Sequence, residues 1–221
     1  MGTKIMENRM KSEWNQVTVE DLMRMKGIEE LQRATEDEKN LKVAALLGNI
    51  SYEDILKLPL ADLKPYMDNT EFIYEKPKPK KARKKYEING RMYRLLKDPT
   101  EMSVAQYMDY QAIQADGFEK RPADLLAIML VPEGHEYNDG YDKDEVLEDM
   151  LSLGVEEALG VADFFIRRFG RFLNLMRTLL PMMLKWKRIR ANKEDKELLK
   201  AAEVQIRAIM DELMALYGSH V

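Results

Sequence analysis

The sequence predicts a mainly α fold of the α+β kind: a helical bundle with a small antiparallel β-sheet or hairpin near residues 72–95. Three observations carry this. Apolar residues recur at three- and four-residue spacing along most of the chain, the spacing that lines one face of a helix. Ser, Thr or Asp repeatedly precedes those stretches with a polar partner three residues on, as a helix start requires. One Asn-Gly pair, Asn89-Gly90, stands between two strand-prone runs, and that pair readily takes the positive φ angles of a two-residue hairpin turn.

In chain order, Val19, Leu22, Met23, Ile28 and Leu31 form the first apolar stripe, with Thr18 and Asp21 as a capping box and Gly27 as a point where the helix divides into two pieces. A second helix fits Glu36 to Leu47, stopped by Gly48-Asn49. Ser51 with Asp54 opens a short third helix through Leu58, and Pro59 suits the boundary that follows. Phe72-Ile73-Tyr74 reads as a strand, and the run Lys76 to Lys85 reads as an extended, charged connection to the hairpin Tyr86–Leu95. An isolated hairpin is marginal in water, so Phe72–Tyr74 is the expected third strand.

Beyond the hairpin, Ser103 and Gln106 cap a helix carrying Val104, Tyr107, Met108 and Ile113. Arg121-Pro122 starts another from Ala123 to Val131, apolar nearly all round and therefore buried. After the turn-rich Tyr137–Tyr141, Asp142 caps a helix from Lys143 to Leu151. A long helix is expected from Val155 to Leu180, interrupted at Pro181, and a last one from Lys193 to Tyr217 packs antiparallel to it. The natural divisions are residues 1–75, a region of short helices; 76–85, a basic linker; and 86–221, the hairpin plus a helical domain, all able to pack as one.

Composition narrows the function. The 221 residues are 45% hydrophobic and 33% charged, which gives a chain of ordinary size a core to bury. A net charge of −4 leaves no overall positive field for nucleic acid or an anionic membrane. Zero cysteines and two histidines exclude disulfides, thiolate catalysis and the common zinc spacings. No N-terminal leader or transmembrane run is apparent, and the expected location is the cytoplasm.

Each candidate for chemistry has a plainer structural reading. Asn138–Glu145 is acidic, but its spacing is not that of a calcium loop, and Asp142 is better explained as a helix cap. His135 and His220 stand apart from any nucleophile, and no Gly-rich phosphate loop occurs; neither a metal nor a cofactor is expected, and no enzyme. Phe164 to Arg190 is basic and amphipathic, which suits an anionic membrane, yet helix packing explains its aromatics as well.

Two features fit a binding role. Sixteen methionines are an unusual number, and polarizable, unbranched side chains repack around varied apolar partners. Met176, Leu180, Met183, Met210 and Met214 are the candidates for a groove that holds a partner helix. The basic loop, with Lys78, Lys80, Lys81, Arg83, Lys84 and Lys85, offers cations to phosphates but lacks interleaved aromatics, and as a solvated loop shielding a sheet edge it needs no ligand.

The order of features is similar to a known group. Trp14, Phe72-Ile73-Tyr74, the hairpin, Met102 to Asp109, Leu126 to Gly134, Tyr137 to Asp142 and Ala162-Asp163-Phe164-Phe165 together resemble small tail-region proteins of tailed bacteriophages and prophages, over Trp14 to about Arg190. The resemblance implies a non-enzymatic tail assembly chaperone that keeps apolar helices of a partner such as a tape-measure protein in solution. The alternative it leaves is a virion structural or head-tail connector protein, found in the particle; a second alternative, a nucleic-acid-binding accessory protein, rests on the lysine run alone. A protein is the expected partner, neither nucleic acid nor a membrane, and the resemblance supplies no catalytic residues.

Overall fold

A computed structural model describes residues 10–98, 101–116, 120–168 and Val204 of the chain. It is mainly helical with one small three-stranded antiparallel sheet, as the sequence predicts. Two compact units divide it: the first comprises Met1–Leu95 and Ser103–Ala162, the second Leu96–Met102 and Asp163–Val221.

In the first unit, helix α1 (Val19–Glu29) begins at the predicted box, with the Thr18 hydroxyl accepting from the Asp21 N–H and the Asp21 carboxylate accepting from the Thr18 N–H. Gly27 does not divide it. The helix is continuous, because one glycine costs only about 1 kcal/mol relative to alanine and Met25 is anchored in the core. Helix α2 (Glu36–Leu47) ends at Gly48-Asn49, where the two residues do different work. Asn49 takes the positive φ of 51°, while a methyl group at Gly48 would lie 2.6 Å from the Tyr66 ring.

Ser51 caps α3 (Tyr52–Ile55), and Pro59 stands at the start of α4 (Leu60–Asp68). Two apolar clusters hold this half together. One joins Val17, Met25, Val43, Leu47 and Val155, and the other joins Ala44, Ala45, Ile55 and Tyr66.

The first correction falls at Phe72–Tyr74. Residues Glu71–Tyr74 form a single 3₁₀ turn, not a strand. Phe72 meets Trp14 edge-to-face at 5.4 Å, and the Trp14 indole N–H donates to the Glu75 carbonyl at 2.8 Å. These tertiary partners outweigh the β propensity of the short run. The hairpin itself stands as predicted, β1 (Lys85–Ile88) against β2 (Arg91–Leu95), with φ of 50° at Asn89 and 78° at Gly90.

The third strand comes from elsewhere. After α5 (Val104–Asp116), helix α6 (Pro122–Met129) stops two residues before its predicted end, and β3 (Leu130–Pro132) pairs with β2 to give the order β1-β2-β3. The apolar run Leu130-Val131 is indistinguishable in pattern from more of the same buried helix. Asp142 caps α7 (Lys143–Ser152) as predicted, accepting from the Asp144 N–H at 2.8 Å.

Helix α8 covers 155–168 among the described residues and starts at the predicted Val155. Its entry is fixed by the N-terminal segment: the Val19 N–H donates to Leu153 and the Val155 N–H to Val17, at 2.9 and 2.8 Å. Residues 163–168 belong to the second unit. There Arg167 pairs with Asp163 at 2.8 Å, Arg168 lies over the Phe164 ring, and Phe165 is buried. The predicted continuation to Leu180, the kink at Pro181 and the helix to Tyr217 lie outside the described residues. No helix among the described residues is long and apolar enough to cross a membrane.

Candidate functional site

Three arrangements in the first unit bring functional groups together. The first is a cleft of about 240 Å³ bounded by α5, α6, the loop before α7 and α7 itself, with Asp109, Arg121, Asp124, Tyr137, Tyr141 and Lys143 among its lining. Its loop wall is shaped by turn chemistry, with φ of 62° at Asn138 and 75° at Gly140 and the Asn138 N–H donating to the Tyr141 hydroxyl at 2.9 Å.

Most of the charge in the cleft is paired. Tyr137 donates to Asp109 at 2.8 Å and Arg121 meets Asp124 at 2.7 Å. Burial, then the hydrogen bond to Asp109, pushes the Tyr137 hydroxyl well above its usual range, so it is a donor at neutral pH and not a base. The volume falls below the roughly 300–1,000 Å³ of pockets that enclose a drug-sized molecule. Chemically the cleft can orient a small polar group or the edge of a larger partner. His135, one of the two histidines, packs edge-on against Tyr141 at 5.9 Å. His220 lies outside the described residues.

The second arrangement is the outer face of α5. Val104, Ala105, Tyr107, Met108 and Ala112 are all exposed, Val104 at 77% and Met108 at 65%. Their spacing puts them on one arc of the helix, and that arc carries no charge in a chain that is 33% charged. On its flank is Gln111, whose Nε2 is shielded from water and has no hydrogen-bond partner among the described residues. Ala112 and Asp109 carry the helix surface into the polar cleft. The opposite face is fixed by Gln106, which closes the Ser103 capping box and donates to the Ile128 carbonyl at 3.1 Å.

The third is the basic run. It has no regular structure, but it is not a free solvated loop: it lies as a strap along α8. The Lys80 N–H donates to the Glu156 carbonyl at 2.8 Å, and the Lys80 ammonium is 3.6 Å from the Glu156 carboxylate. Arg83 pairs with Glu157 at 2.7 Å and stacks over Tyr86, whose hydroxyl accepts from the Arg83 N–H. Burial, the largest influence, raises the Tyr86 hydroxyl above its usual range despite Arg83.

Gly160 makes the crossing possible, because a methyl group there would sit 1.9 Å from the Lys80 carbonyl oxygen. Lys85 is the first residue of β1 and pairs with Glu133. Lys78, Lys81 and Lys84, like Lys76, are exposed and have no ion pair among the described residues.

The groove candidates Met176, Leu180, Met183, Met210 and Met214 all lie outside the described residues. Sequence reasoning placed Tyr107 and Met108 on α5 without recognising the face as exposed, since periodicity shows which residues share a face and not whether anything covers it. Among the described residues no group of three or more His, Asp or Glu is placed to hold a metal ion. What the geometry defines is a mainly helical α+β chain with an uncharged helix face beside a small polar cleft. In comparisons with known proteins, no protein-family model, no curated protein and no solved structure matches the chain.

Proposed function

We propose that this protein is a non-enzymatic assembly factor of the tail-assembly-chaperone kind, which holds an amphipathic helix of a phage tail protein, such as a tape-measure protein, until that protein is built into the tail. The observation that supports the reading is the uncharged exposed arc of α5. An apolar helix face on a surface otherwise dense in charge is the kind of patch that protein partners cover. Gln111 adds a donor without an acceptor among the described residues, which a partner's backbone carbonyl would satisfy. Tyr107 and Met108 supply an aromatic anchor and an adaptable thioether, both suited to helices of varied sequence. The polar cleft with Asp109 and Lys143 adjoins α5 and offers both signs of charge to the flank of such a helix.

Co-expression with segments of a tape-measure protein tests it. The wild-type chain is expected to raise the soluble fraction of those segments and to co-purify with them. The double variant Val104→Lys with Met108→Lys is expected to lose both effects while melting at an unchanged temperature. Failure of the wild-type chain to solubilise any segment would refute the reading. Its presence at fixed copy number in purified virions would make it a structural subunit instead.

A further inference from the structure

We infer that the strap from Tyr74 to Lys84 is a binding site for single-stranded nucleic acid, a role independent of the α5 face. Its backbone is tied to α8 at Lys80, whose N–H donates to the Glu156 carbonyl, so a ligand would not bear the full cost of fixing a flexible tail. Lys80 and Arg83 are spent on Glu156 and Glu157 and hold the strap to α8. Lys76, Lys78, Lys81 and Lys84 remain exposed, without ion pairs among the described residues. Anchoring and binding are thereby divided between different cations of one short segment.

The eight residue steps from Lys76 to Lys84 span roughly 25 Å of extended chain, with Pro77 and Pro79 stiffening its first half. Four ammoniums in a line suit a linear polyanion, and compact hydrated ammoniums serve phosphates as point charges. An acidic peptide is less well matched, because carboxylates favour the planar fork of arginine and the strap's one arginine is already occupied by Glu157 and Tyr86. A lipid surface would need apolar side chains beside the cations, and between Lys76 and Lys84 there are only two prolines and Ala82. At the strap's N-terminal end Tyr74 is 77% exposed and offers an open ring face to an unstacked base. That face, useless to a paired duplex, favours a single strand.

The test is fluorescence anisotropy of the full-length protein with labelled oligo-dT and oligo-U across a salt series; the pair also separates DNA from RNA. Four phosphate contacts predict that log K falls against log salt with a slope of about −3. The variant carrying Lys76→Gln, Lys78→Gln, Lys81→Gln and Lys84→Gln is expected to lose at least about tenfold in affinity at low salt and to flatten the slope. Tyr74→Ala is expected to lose about tenfold with the slope unchanged, since stacking releases no counterions.

Unchanged circular dichroism and melting temperature confirm that these surface variants fold. No binding at low salt, or a slope indifferent to the four lysines, would overturn the assignment. So would competition by polyglutamate equal to that by oligo-dT, or preference for anionic vesicles or duplex DNA.

Discussion

The Tyr93 hydroxyl donates to the Asp149 carboxylate in a place where both residues are almost wholly buried, at 0% and 1% exposure. The bond joins the central strand β2 to α7, and the same carboxylate also receives Asn89 Nδ2 at 2.8 Å and Arg91 Nε at 3.2 Å. One aspartate thus gathers both arms of the hairpin turn. Asp149→Ala leaves the buried Tyr93 hydroxyl without an acceptor, while Asn89 keeps Ser152 and Arg91 keeps Glu145, and is expected to cost about 2–4 kcal/mol in urea unfolding. Tyr93→Phe removes one donor from a carboxylate that keeps two others, so its cost should stay near 1–2 kcal/mol. Equal costs for the two variants would show that the carboxylate does not act as the hub.

Tyr93 and Tyr137 make the fold sensitive to alkali. Burial first, and then the bond to Asp149 or Asp109, raises each hydroxyl well above the ordinary 10.0. A group whose folded pKa is raised contributes stability that is complete below the unfolded value and disappears as pH climbs toward the folded one. Stability is therefore expected to decline above pH 10.0. In a spectroscopic titration, phenolate absorbance from these two of the ten tyrosines should appear together with unfolding and not before it. Replacing both with Phe should shrink that delayed fraction to what Tyr86, whose hydroxyl burial also raises, contributes.

Capping and turn chemistry made much of this architecture legible in advance. Thr18, Ser51, Ser103 and Asp142 each satisfy backbone donors at a helix start, a local interaction that two or three adjacent residues specify. Asn89-Gly90 is legible for the same reason. The third strand was not, because Leu130-Val131 becomes a strand only through its pairing with β2, a contact across some 35 residues that leaves no mark on the run itself. The strap is illegible for the same reason: a lysine run looks solvated until the bare Cα of Gly160, about 80 residues on, lets its backbone come close. The α5 face was visible as residues and invisible as a surface.

Asp21 carries the acid side of the stability profile. Burial alone would push its carboxyl upward. The Lys11 ammonium and the Thr18 N–H and hydroxyl outweigh that and hold it below the usual 3.8. A depressed folded pKa gives stability that is complete above the unfolded value and is lost as pH falls through the folded one. The stability gap between the wild-type chain and Asp21→Asn should accordingly be constant near neutrality and shrink as pH drops below 3.8. Differential scanning calorimetry at matched ionic strength reads it. A gap that persists unchanged into strong acid would mean the aspartate acts only through its neutral hydrogen bonds.

Gly160 decides whether the strap stays seated. A Cβ at that position would meet the Lys80 carbonyl at 1.9 Å for oxygen and 2.9 Å for carbon, and these are backbone atoms that cannot swing aside as a side chain would. Gly160→Ala therefore gains about 1 kcal/mol in helix propensity and loses more than it gains, because either α8 shifts or the strap lifts and gives up the Lys80 N–H bond to Glu156 along with the Arg83–Glu157 pair. The net destabilisation expected is about 1–3 kcal/mol. Limited trypsin digestion separates this from a general weakening, since cleavage after Lys80, Lys81 and Arg83 should accelerate well before sites in α2 or α7 are cut. If Gly160→Ala is more stable than wild type and its strap is cut no faster, the close crossing is not what holds the basic segment in place.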